Sequence, residues 1–180
     1  MPYYTKSGDE GKTCILGKGR VGKDELVVEA LGNFDELSCA IGVAASFTES
    51  LASRKTLENI QNDLHTVCAE ISGLSSVNLP RIKLEHVREL EEAILMIEKS
   101  ISPQESFLLP GGSAQASLIH LARAIARRSE RSLVRLSRVS KIRSELLVYS
   151  NRLSTLLYVL ARLQNKISKS EEIIPRYRYN

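Results

Sequence analysis

Residues 123–131 read RAIARRSER, so four arginines and one glutamate fall within nine positions. Arg123, Arg127 and Arg131 are spaced four residues apart, and on an α-helix they would lie above one another on one face. Glu130 borders the same face. Because a column of like charges is unfavourable, acidic side chains, phosphates or solvent must compensate it.

The opposite side of this stretch is apolar. The residues that recur there at helical spacing are Leu118, Ala122, Ile125, Ser129 and Leu133. Ser113 precedes the pattern and is a suitable N-cap, because its hydroxyl can accept a backbone N–H of the first turn. The sequence therefore predicts a helix from residue 113 to about residue 138 that packs one face on a core and presents cations on another.

Four further segments show apolar residues at the 3.6-residue period and predict four more helices. Their ranges are about 26–49, 53–74, 83–101 and 144–166. Asp24 can serve as the N-cap of the first of them, whereas Pro80 and the 102–113 segment interrupt the helical pattern. Because no strand-like alternation of any length competes, we expect an all-α fold, a five-helix bundle with mostly antiparallel neighbours.

The two ends of the chain lack this period. Residues 1–23 are polar and rich in glycine, which predicts a loop with room for one short strand at 13–16. Residues 167–180 are polar as well. The predicted organisation is a single domain over 1–180, with the N-terminal loop, the bundle at 24–166 and a C-terminal tail.

Composition is typical of a globular protein, since 43% of the 180 residues are apolar and 26% are charged. No apolar run approaches the roughly 18–20 residues that span a bilayer, and no signal-peptide pattern opens the chain. Cys14, Cys39 and Cys68 form no CxxC pair, so we interpret them as reduced, mostly structural thiols. We expect a cytoplasmic protein without membrane association.

The positive charge is local. Residues 123–143 contain eight lysines and arginines and one glutamate, a net charge of +7, whereas the rest of the chain has 17 basic and 20 acidic residues, a net charge of −3. Such a concentration implies a local anion: a nucleotide, a nucleic acid or an acidic partner surface. Modules that bind nucleic acid usually interleave exposed aromatics with their basic residues, and residues 123–143 contain none.

The N-terminal loop is a candidate phosphate site. Residues 5–13 read TKSGDEGKT, but they are not a P-loop, because Lys6 stands where the first glycine is required. Small residues, hydroxyls and lysines can still let backbone N–H groups close around phosphates. The alternative is a flexible N-terminal segment. Lys23, at the start of the first helix, either reaches an anion or is solvated.

Three single residues are further candidates, each with an ordinary structural alternative. Asp35 in the first helix needs a cation from the arginine row, within the chain or from another subunit, unless it is solvated. Phe107 begins the FLLPGGS loop and would pack on a flat ligand if exposed, or tuck into the core. Asn151 in the fifth helix would hydrogen-bond a ligand held by the fourth helix, or belong to a polar outer face.

The histidines give no metal or nucleophile pattern. His65, His86 and His120 have neither zinc nor di-iron spacing, and no Ser-His-Asp arrangement can be argued. If the protein is an enzyme, its nucleophile comes from a substrate or cofactor.

Six motifs occur together in a characteristic order. They are YTKSGDEGKT, RVGKD, EALGNFDEL, FLLPGGS, HLARAIARRSER and NRLS. Over residues 4–163 the chain thereby resembles the PduO-type ATP:cob(I)alamin adenosyltransferases, the corrinoid adenosyltransferase family. The resemblance implies a ferritin-like five-helix bundle that forms a homotrimer with active sites at subunit interfaces. It also implies transfer of the 5′-deoxyadenosyl group of ATP to the Co(I) of cob(I)alamin, giving adenosylcobalamin and inorganic triphosphate.

The resemblance also implies a set of site residues. Those matching ATP-binding positions are Thr5, Lys6, Ser7, Gly8, Thr13, Cys14, Lys23, Arg127, Arg128, Ser129, Glu130, Arg131 and Asn151. Asp35 matches an acid that pairs with an arginine, matched by Arg123, across the subunit interface at the site. Phe107 matches an aromatic that packs below the corrin. Of these, Arg127, Arg131 and Phe107 would act in the reaction itself.

The resemblance implies further partners. Mg²⁺ would bridge the ATP phosphates without a metal ligand from protein side chains. A cob(II)alamin reductase would supply Co(I), and an adenosylcobalamin-dependent enzyme would use the product, while no nucleic acid or membrane partner is expected. The alternative is a helical bundle without enzymatic activity that binds nucleotide, RNA or corrinoid through its basic helix.

Overall fold

The computed structural model describes residues 4, 6–15, 19–73 and 80–176. Its elements, in chain order, are β1 Lys12–Ile15, β2 Gly19–Gly22, α1 Leu26–Phe47, α2 Leu51–Ile71, α3 Leu84–Ser100, α4 Ala114–Ser137 and α5 Ser144–Ile167. The prediction of an all-α bundle with five helices is confirmed. The predicted basic helix is α4, which contacts both α1 and α5, while α2 packs on α1 and α3 packs on α5.

The N-terminal loop contains a β-hairpin that the sequence only half predicts. β1 and β2 pair antiparallel, with Lys12 opposite Gly22 and Ile15 opposite Gly19. The predicted strand at 13–16 is confirmed as far as Ile15, since residue 16 lies outside the described residues. Its partner strand was missed, because Gly19 and Gly22 lie within it and glycine is uncommon in strands.

The two predicted N-caps have different outcomes. Ser113 caps α4 as predicted, because its hydroxyl accepts a hydrogen bond from the backbone N–H of Ala116 at 3.2 Å. Asp24 as the cap of α1 is wrong. The N-cap is Glu25, whose carboxylate reaches back to accept the N–H of Gly22 at 3.1 Å, so that the side chain joins the helix start to the hairpin.

The core lies where the helical pattern places it. On α4 the predicted stripe is buried at Ala122, Ile125, Ser129 and Leu133, and Leu118 packs partly buried against it. Helix α5 is central, and its buried residues include the polar Arg162, Gln164 and Asn165 near its end. Because buried polar groups are stable only when their hydrogen bonds are satisfied, this end of α5 must have polar partners.

The three cysteines are free, but their surroundings differ. Cys68 is partly buried, and burial together with the nearby charge of Asp35 raises the pKa of its thiol to about 11. Cys14 and Cys39 are exposed. The prediction of mostly structural thiols is therefore wrong for two of the three cysteines.

A buried tyrosine and a carboxylate join α2 to α5. The Tyr149 side chain is completely buried, and its hydroxyl donates to Oδ2 of Asp63 at 2.8 Å. Burial raises the pKa of the Asp63 carboxyl, and burial also raises the pKa of the Tyr149 hydroxyl well above its ordinary value. His86 on α3 lies near the same carboxylate, with its Nε2 at 4.0 Å from Oδ1. The cluster therefore carries a group whose ionisation opposes folding.

We predict that Asp63→Asn changes the pH dependence of stability. Because the folded-state pKa of Asp63 lies above its unfolded value, its favourable contribution is complete below the unfolded pKa and is lost as pH rises through the folded pKa. Asparagine does not titrate and can still accept the Tyr149 hydroxyl. The free energy of unfolding of Asp63→Asn, relative to wild type, should therefore increase from about pH 4 to about pH 7 in urea titrations.

Glu58→Gln, on the exposed face of α2, is the control for removing one negative charge from the same helix. A difference between Asp63→Asn and wild type that stays constant or shrinks over this pH range would contradict the assignment.

Candidate functional site

A basic groove runs along α4 and has a volume of about 740 Å³. Its lining residues are Arg127, Arg128, Glu130, Arg131, Val134, Arg135, Arg138 and Asn151. Five of these eight residues are arginines, and one is an acid. The groove therefore presents a dense set of guanidinium donors, whose planar geometry suits phosphate and carboxylate oxygens.

The buried back of α4 fixes how the groove faces. Ser129 is fully buried, and its hydroxyl donates to the carbonyl oxygens of Asn33 at 2.8 Å and Ile125 at 3.1 Å. The Ser129 side chain thus lies in the contact between α4 and α1, and it does not line the basic groove. Its neighbours Arg128 and Glu130 line the groove.

Acidic residues of α1 neutralise part of the arginine set. Arg128 forms an ion pair with Glu36, and Arg135 forms one with Glu29. The other three arginines of the groove are Arg127, Arg131 and Arg138. None of them has a carboxylate partner within the described part of the chain. The groove therefore retains cations available for an anionic ligand.

Asn151 closes the groove from α5. Its Nδ2 donates to Oε1 of Glu130 at 2.9 Å, and its Oδ1 accepts from Arg152 at 2.8 Å. Arg152 in turn donates from Nε to Oε1 of Glu91 on α3 at 2.9 Å. Asn151 therefore lies beside the basic helix, as the hypothesis of a shared ligand requires, and this chain of hydrogen bonds holds the Glu130 carboxylate in place.

The hairpin encloses a second cavity of about 240 Å³. The residues lining this hairpin cavity are Ser7, Gly8, Lys12, Thr13, Cys14, Arg20 and Lys23. Lys23 donates from Nζ to the carbonyl oxygen of Gly8 at 2.8 Å, and Arg20 donates to that of Ser7 at 2.7 Å. A Cβ at Gly8 would lie 3.2 Å from Lys23 Nζ, so glycine permits this close approach. Three cations thus surround a small cavity lined by hydroxyl and thiol groups.

Lys6 and Thr5 were also predicted to bind ATP in this region. Lys6 adopts a left-handed backbone conformation, with a φ of 58°, at the turn that precedes β1. Thr5 lies outside the described residues.

Phe107 is 82% exposed on the segment between α3 and α4. The alternative that this ring is tucked into the core is therefore wrong. The backbone that follows the ring is held in place, since Leu109 donates its N–H to the carbonyl oxygen of Ile173 in the C-terminal tail at 2.8 Å. The ring is presented to solvent by an anchored segment.

Arg123 and Asp35 are not paired within the described part of the chain. Asp35 is exposed on α1. The Arg123 guanidinium lies over the ring of Tyr158, with Cζ at 5.8 Å from the ring centroid, and its Nε is buried without a hydrogen-bond partner. His120 packs against the same ring, and burial and the charge of Arg123 lower the pKa of its imidazole. Within the described part of a single chain, Asp35 thus has no ion-pair partner and the Arg123 Nε has no acceptor.

Asn165 has a role that the sequence pattern did not predict. Its Nδ2 donates to the carbonyl oxygen of Gly111 at 2.9 Å, and its Oδ1 accepts the N–H of Ser113 at 2.9 Å. Gly112 between them has a φ of +103°, and a Cβ there would lie 2.1 Å from Asn165 Oδ1. Only glycine fits this approach. The signal for Asn165 was a polar residue at a core position of α5. Arg20, which lines the hairpin cavity, was also missed, and its signal was a cation beside the glycine-rich loop.

Two possible features are absent from the described residues. In the parts of the chain that the structure describes, no group of three or more His, Cys, Asp or Glu side chains is placed to hold a metal ion. A search of the same parts finds no helix that is both long enough and apolar enough to cross a membrane.

The sequence of this chain matches those of known proteins. A sequence model described as cobalamin adenosyltransferase matches residues 3–164. The chain is 39% identical over 179 residues to the corrinoid adenosyltransferase PduO of Citrobacter freundii. The aligned region covers 98% of this chain and 53% of that protein. The chain thus spans about half the length of this relative. It is 36% identical over 172 residues to a corrinoid adenosyltransferase of Bacillus subtilis strain 168, covering 92% of this chain and 87% of that protein.

Solved structures agree with the sequence matches. A variant of the PduO-type ATP:corrinoid adenosyltransferase from Lactobacillus reuteri, complexed with cobalamin and ATP, superposes with a TM-score of 0.91 at 31% identity and covers 99% of this chain and 97% of that chain. A second variant, complexed with ATP, gives a TM-score of 0.89 at 31% identity, covering 96% and 99%. Since the family match extends over most of the chain, this protein belongs to the cobalamin adenosyltransferase family.

Proposed function

We propose that this protein transfers the 5′-deoxyadenosyl group of ATP to the Co(I) of cob(I)alamin, releasing adenosylcobalamin and inorganic triphosphate. The observation that carries the proposal is the basic groove, in which Arg127, Arg131 and Arg138 have no carboxylate partner within the described part of the chain. Relatives that share the fold are named corrinoid adenosyltransferases, and one is solved with both cobalamin and ATP.

The chemistry suits the side chains of the groove. The electron pair of Co(I) forms the cobalt–carbon bond at C5′, and the C5′–O bond breaks with its electron pair leaving on the triphosphate. Because Co(I) is itself a strong nucleophile, the reaction requires no general base from the protein. The group that must be stabilised is a polyanion, and fixed guanidinium donors aimed at it lower the barrier. Arg127 and Arg131 are the residues to which we assign this role.

We propose that ATP binds between subunits of a homotrimer. The hairpin cavity of one chain would contribute Lys6, Ser7, Gly8, Thr13, Cys14 and Lys23, with Thr5 beside them. The basic groove of a neighbouring chain would contribute residues 127–131 and Asn151. The two cavities are separate in one chain, and the resemblance to PduO-type enzymes, which implies sites at subunit interfaces, is the reason for joining them across two chains. In it Lys23 would exchange the Gly8 carbonyl for a phosphate, which forms a stronger, charge-assisted hydrogen bond.

A cross-subunit pair of Asp35 with Arg123 would satisfy both residues. Arg123 is half-buried on α4 and Asp35 is an exposed acceptor on α1, so the guanidinium and the carboxylate can both be offered to a neighbouring chain. The Arg123 guanidinium has no carboxylate partner within the described part of the chain, so a carboxylate from a neighbouring chain would add a charge-assisted hydrogen bond that stabilises the assembly.

We assign Phe107 to the lower face of the corrin, where the lower base of the cofactor would otherwise bind. Its exposure makes the ring available to a flat ligand. A phenyl ring offers no ligand to cobalt, and cobalt without a lower ligand is easier to reduce from Co(II) to Co(I). A cob(II)alamin reductase would supply the electron, and an adenosylcobalamin-dependent enzyme would use the product.

Mg²⁺ would be held mainly by ATP. The carboxylate lining the basic groove is that of Glu130, which already accepts a hydrogen bond from Asn151. This donor set fits an ion that takes its ligands from phosphate oxygens and water. When bound, Mg²⁺ would neutralise part of the charge on the leaving triphosphate.

The three free thiols support a cytoplasmic location, where thiols remain reduced.

We predict that the protein consumes cob(I)alamin in an ATP-dependent reaction under anaerobic conditions. The Co(I) absorbance should decay as adenosylcobalamin forms, with one triphosphate released per turnover, measured by ion chromatography. Pyrophosphate plus phosphate would contradict the single displacement. Salt-sensitive RNA binding without alkylation would instead support a binding protein that uses its basic helix.

We predict that Arg127→Ala lowers turnover by about 100-fold or more, the effect expected when a donor to a developing charge is lost. Steady-state kinetics with preformed cob(I)alamin provide the measurement. Arg88→Ala, which removes an exposed arginine from α3, is the matched control and should retain activity. Kinetics of Arg127→Ala close to those of Arg88→Ala would refute the assigned role.

We predict that Phe107→Ala spares ATP binding yet impairs the reaction that starts from cob(II)alamin, because the ring would act on the lower face of the corrin. ATP affinity is measured by calorimetry, and turnover is measured from Co(II) with a reductant. Leu95→Ala, at an exposed apolar position of α3, is the control. An equal loss of both properties in Phe107→Ala would indicate a folding defect instead.

A further inference from the structure

The last turns of α5 hold the segment that carries Phe107. The Tyr158 hydroxyl donates to Oε1 of Gln104 at 2.7 Å, and Asn165 donates to the carbonyl oxygen of Gly111 at 2.9 Å. Two turns of one helix thus contact the segment both before and after the ring. This segment, residues 101–113, connects α3 to α4 and is called the connecting segment below.

An ion pair between a buried arginine and a half-buried glutamate links the C-terminal tail to the start of the connecting segment. Arg162 on α5 is buried, and its Nε and Nη2 reach the two carboxylate oxygens of Glu172 at 3.0 and 2.9 Å. The same Nη2 donates to the carbonyl oxygen of Ser102 at 3.1 Å. This bidentate geometry fixes the direction of the guanidinium as well as its charge.

The residue after Glu172 continues the attachment. The carbonyl oxygen of Ile173 accepts the N–H of Leu109 at 2.8 Å. Ser102 and Leu109 therefore lie on opposite sides of Phe107 in the chain, and both are bound to the assembly of Arg162 and the tail. The tail is joined to the connecting segment directly, through Ile173 and Leu109, and indirectly, through Arg162, while the Phe107 ring stays exposed.

We propose that Glu172, acting through Arg162, is a positioning residue for the reaction: it anchors the C-terminal tail and so holds the Phe107 backbone in place. The proposal rests on the proposed function, in which Phe107 meets the corrin. An exposed ring on a loop is effective only if its backbone is ordered, since a displacement of about 1 Å near reacting groups can cost about 100-fold in rate. Without Glu172, Arg162 is a buried cation that lacks a carboxylate partner, and the ion pair that attaches the C-terminal tail to α5 is lost.

The test compares three variants of the 180-residue chain. Glu172→Gln removes the charge, and Glu172→Asp keeps a carboxylate. Glu171→Gln makes the same change at the neighbouring position, which is exposed and has no ion pair in the described part of the chain. Hydrogen exchange followed by mass spectrometry reports the protection of the Leu109 amide, which is bonded to Ile173.

In Glu172→Gln we expect exchange at Leu109 to become about 10-fold faster, because the local opening that frees this amide becomes easier. Glu171→Gln should exchange as wild type does, and Glu172→Asp should fall between. The rate from cob(II)alamin should fall about 10-fold in Glu172→Gln, whereas the KM for ATP should change by less than about twofold, because the hairpin cavity is not involved.

Three results would overturn the proposal. Unchanged exchange at Leu109 in Glu172→Gln would show that the tail does not hold the segment. Faster exchange that extends equally to the core of α2 would show general destabilisation. Faster exchange at Leu109 with an unchanged rate from cob(II)alamin would show that this positioning has no part in the reaction. Absence of adenosylation in wild type would refute the proposed function, while the exchange data would still decide whether Glu172 orders the segment.

Discussion

The structure depends on the burial of one face of α4, which forces its arginines to lie together on the other. Burying Ile125 and Leu133 contributes about 1.5–3 kcal/mol each, whereas each partly exposed ion pair with α1 contributes about 0–1 kcal/mol. Packing therefore sets the rotation of α4, and electrostatics adapts to it. Two glutamates of α1 neutralise two arginines, and the other arginines of the groove are exposed, where solvent or a bound anion can offset their repulsion.

Features that depend on neighbouring residues could be predicted from the sequence. The helical period identified all five helices, and the Ser113 cap and the buried back of α4 followed from the same local pattern. The strand β2 and the N-cap of α1 were not predicted correctly. The strand β2 exists because β1 pairs with it, although its own glycines disfavour strand. Glu25 replaces Asp24 as the cap because the chain enters α1 from the hairpin, whose N–H at Gly22 takes the carboxylate.

The site was predictable in its residue types but not in its supports. Arg127, Arg131 and Asn151 lie along one groove, where the sequence pattern and family resemblance had grouped them, whereas Arg123 lies outside it against the Tyr158 ring. The supports are polar contacts between residues far apart in the chain. Asn165 satisfies the glycine turn before α4, 52 residues earlier, and Tyr149 reaches Asp63 over 86 residues. Periodicity marks such residues only as polar groups at core positions, because their partners are determined by how the helices pack.

Arg123 links the proposed assembly to the proposed chemistry. Its guanidinium lies against the Tyr158 ring, and its Nε is buried without an acceptor in the described chain. Arg127 lies one turn further along the same rigid helix, in the groove. A carboxylate that a neighbouring chain supplies to the Arg123 guanidinium would stabilise α4 in the position from which Arg127 meets the triphosphate. Tyr158 also binds the connecting segment through Gln104, so the same contact would reach the segment that carries Phe107. In the proposed trimer, one interface would thus order both the phosphate and the corrin sides of the site.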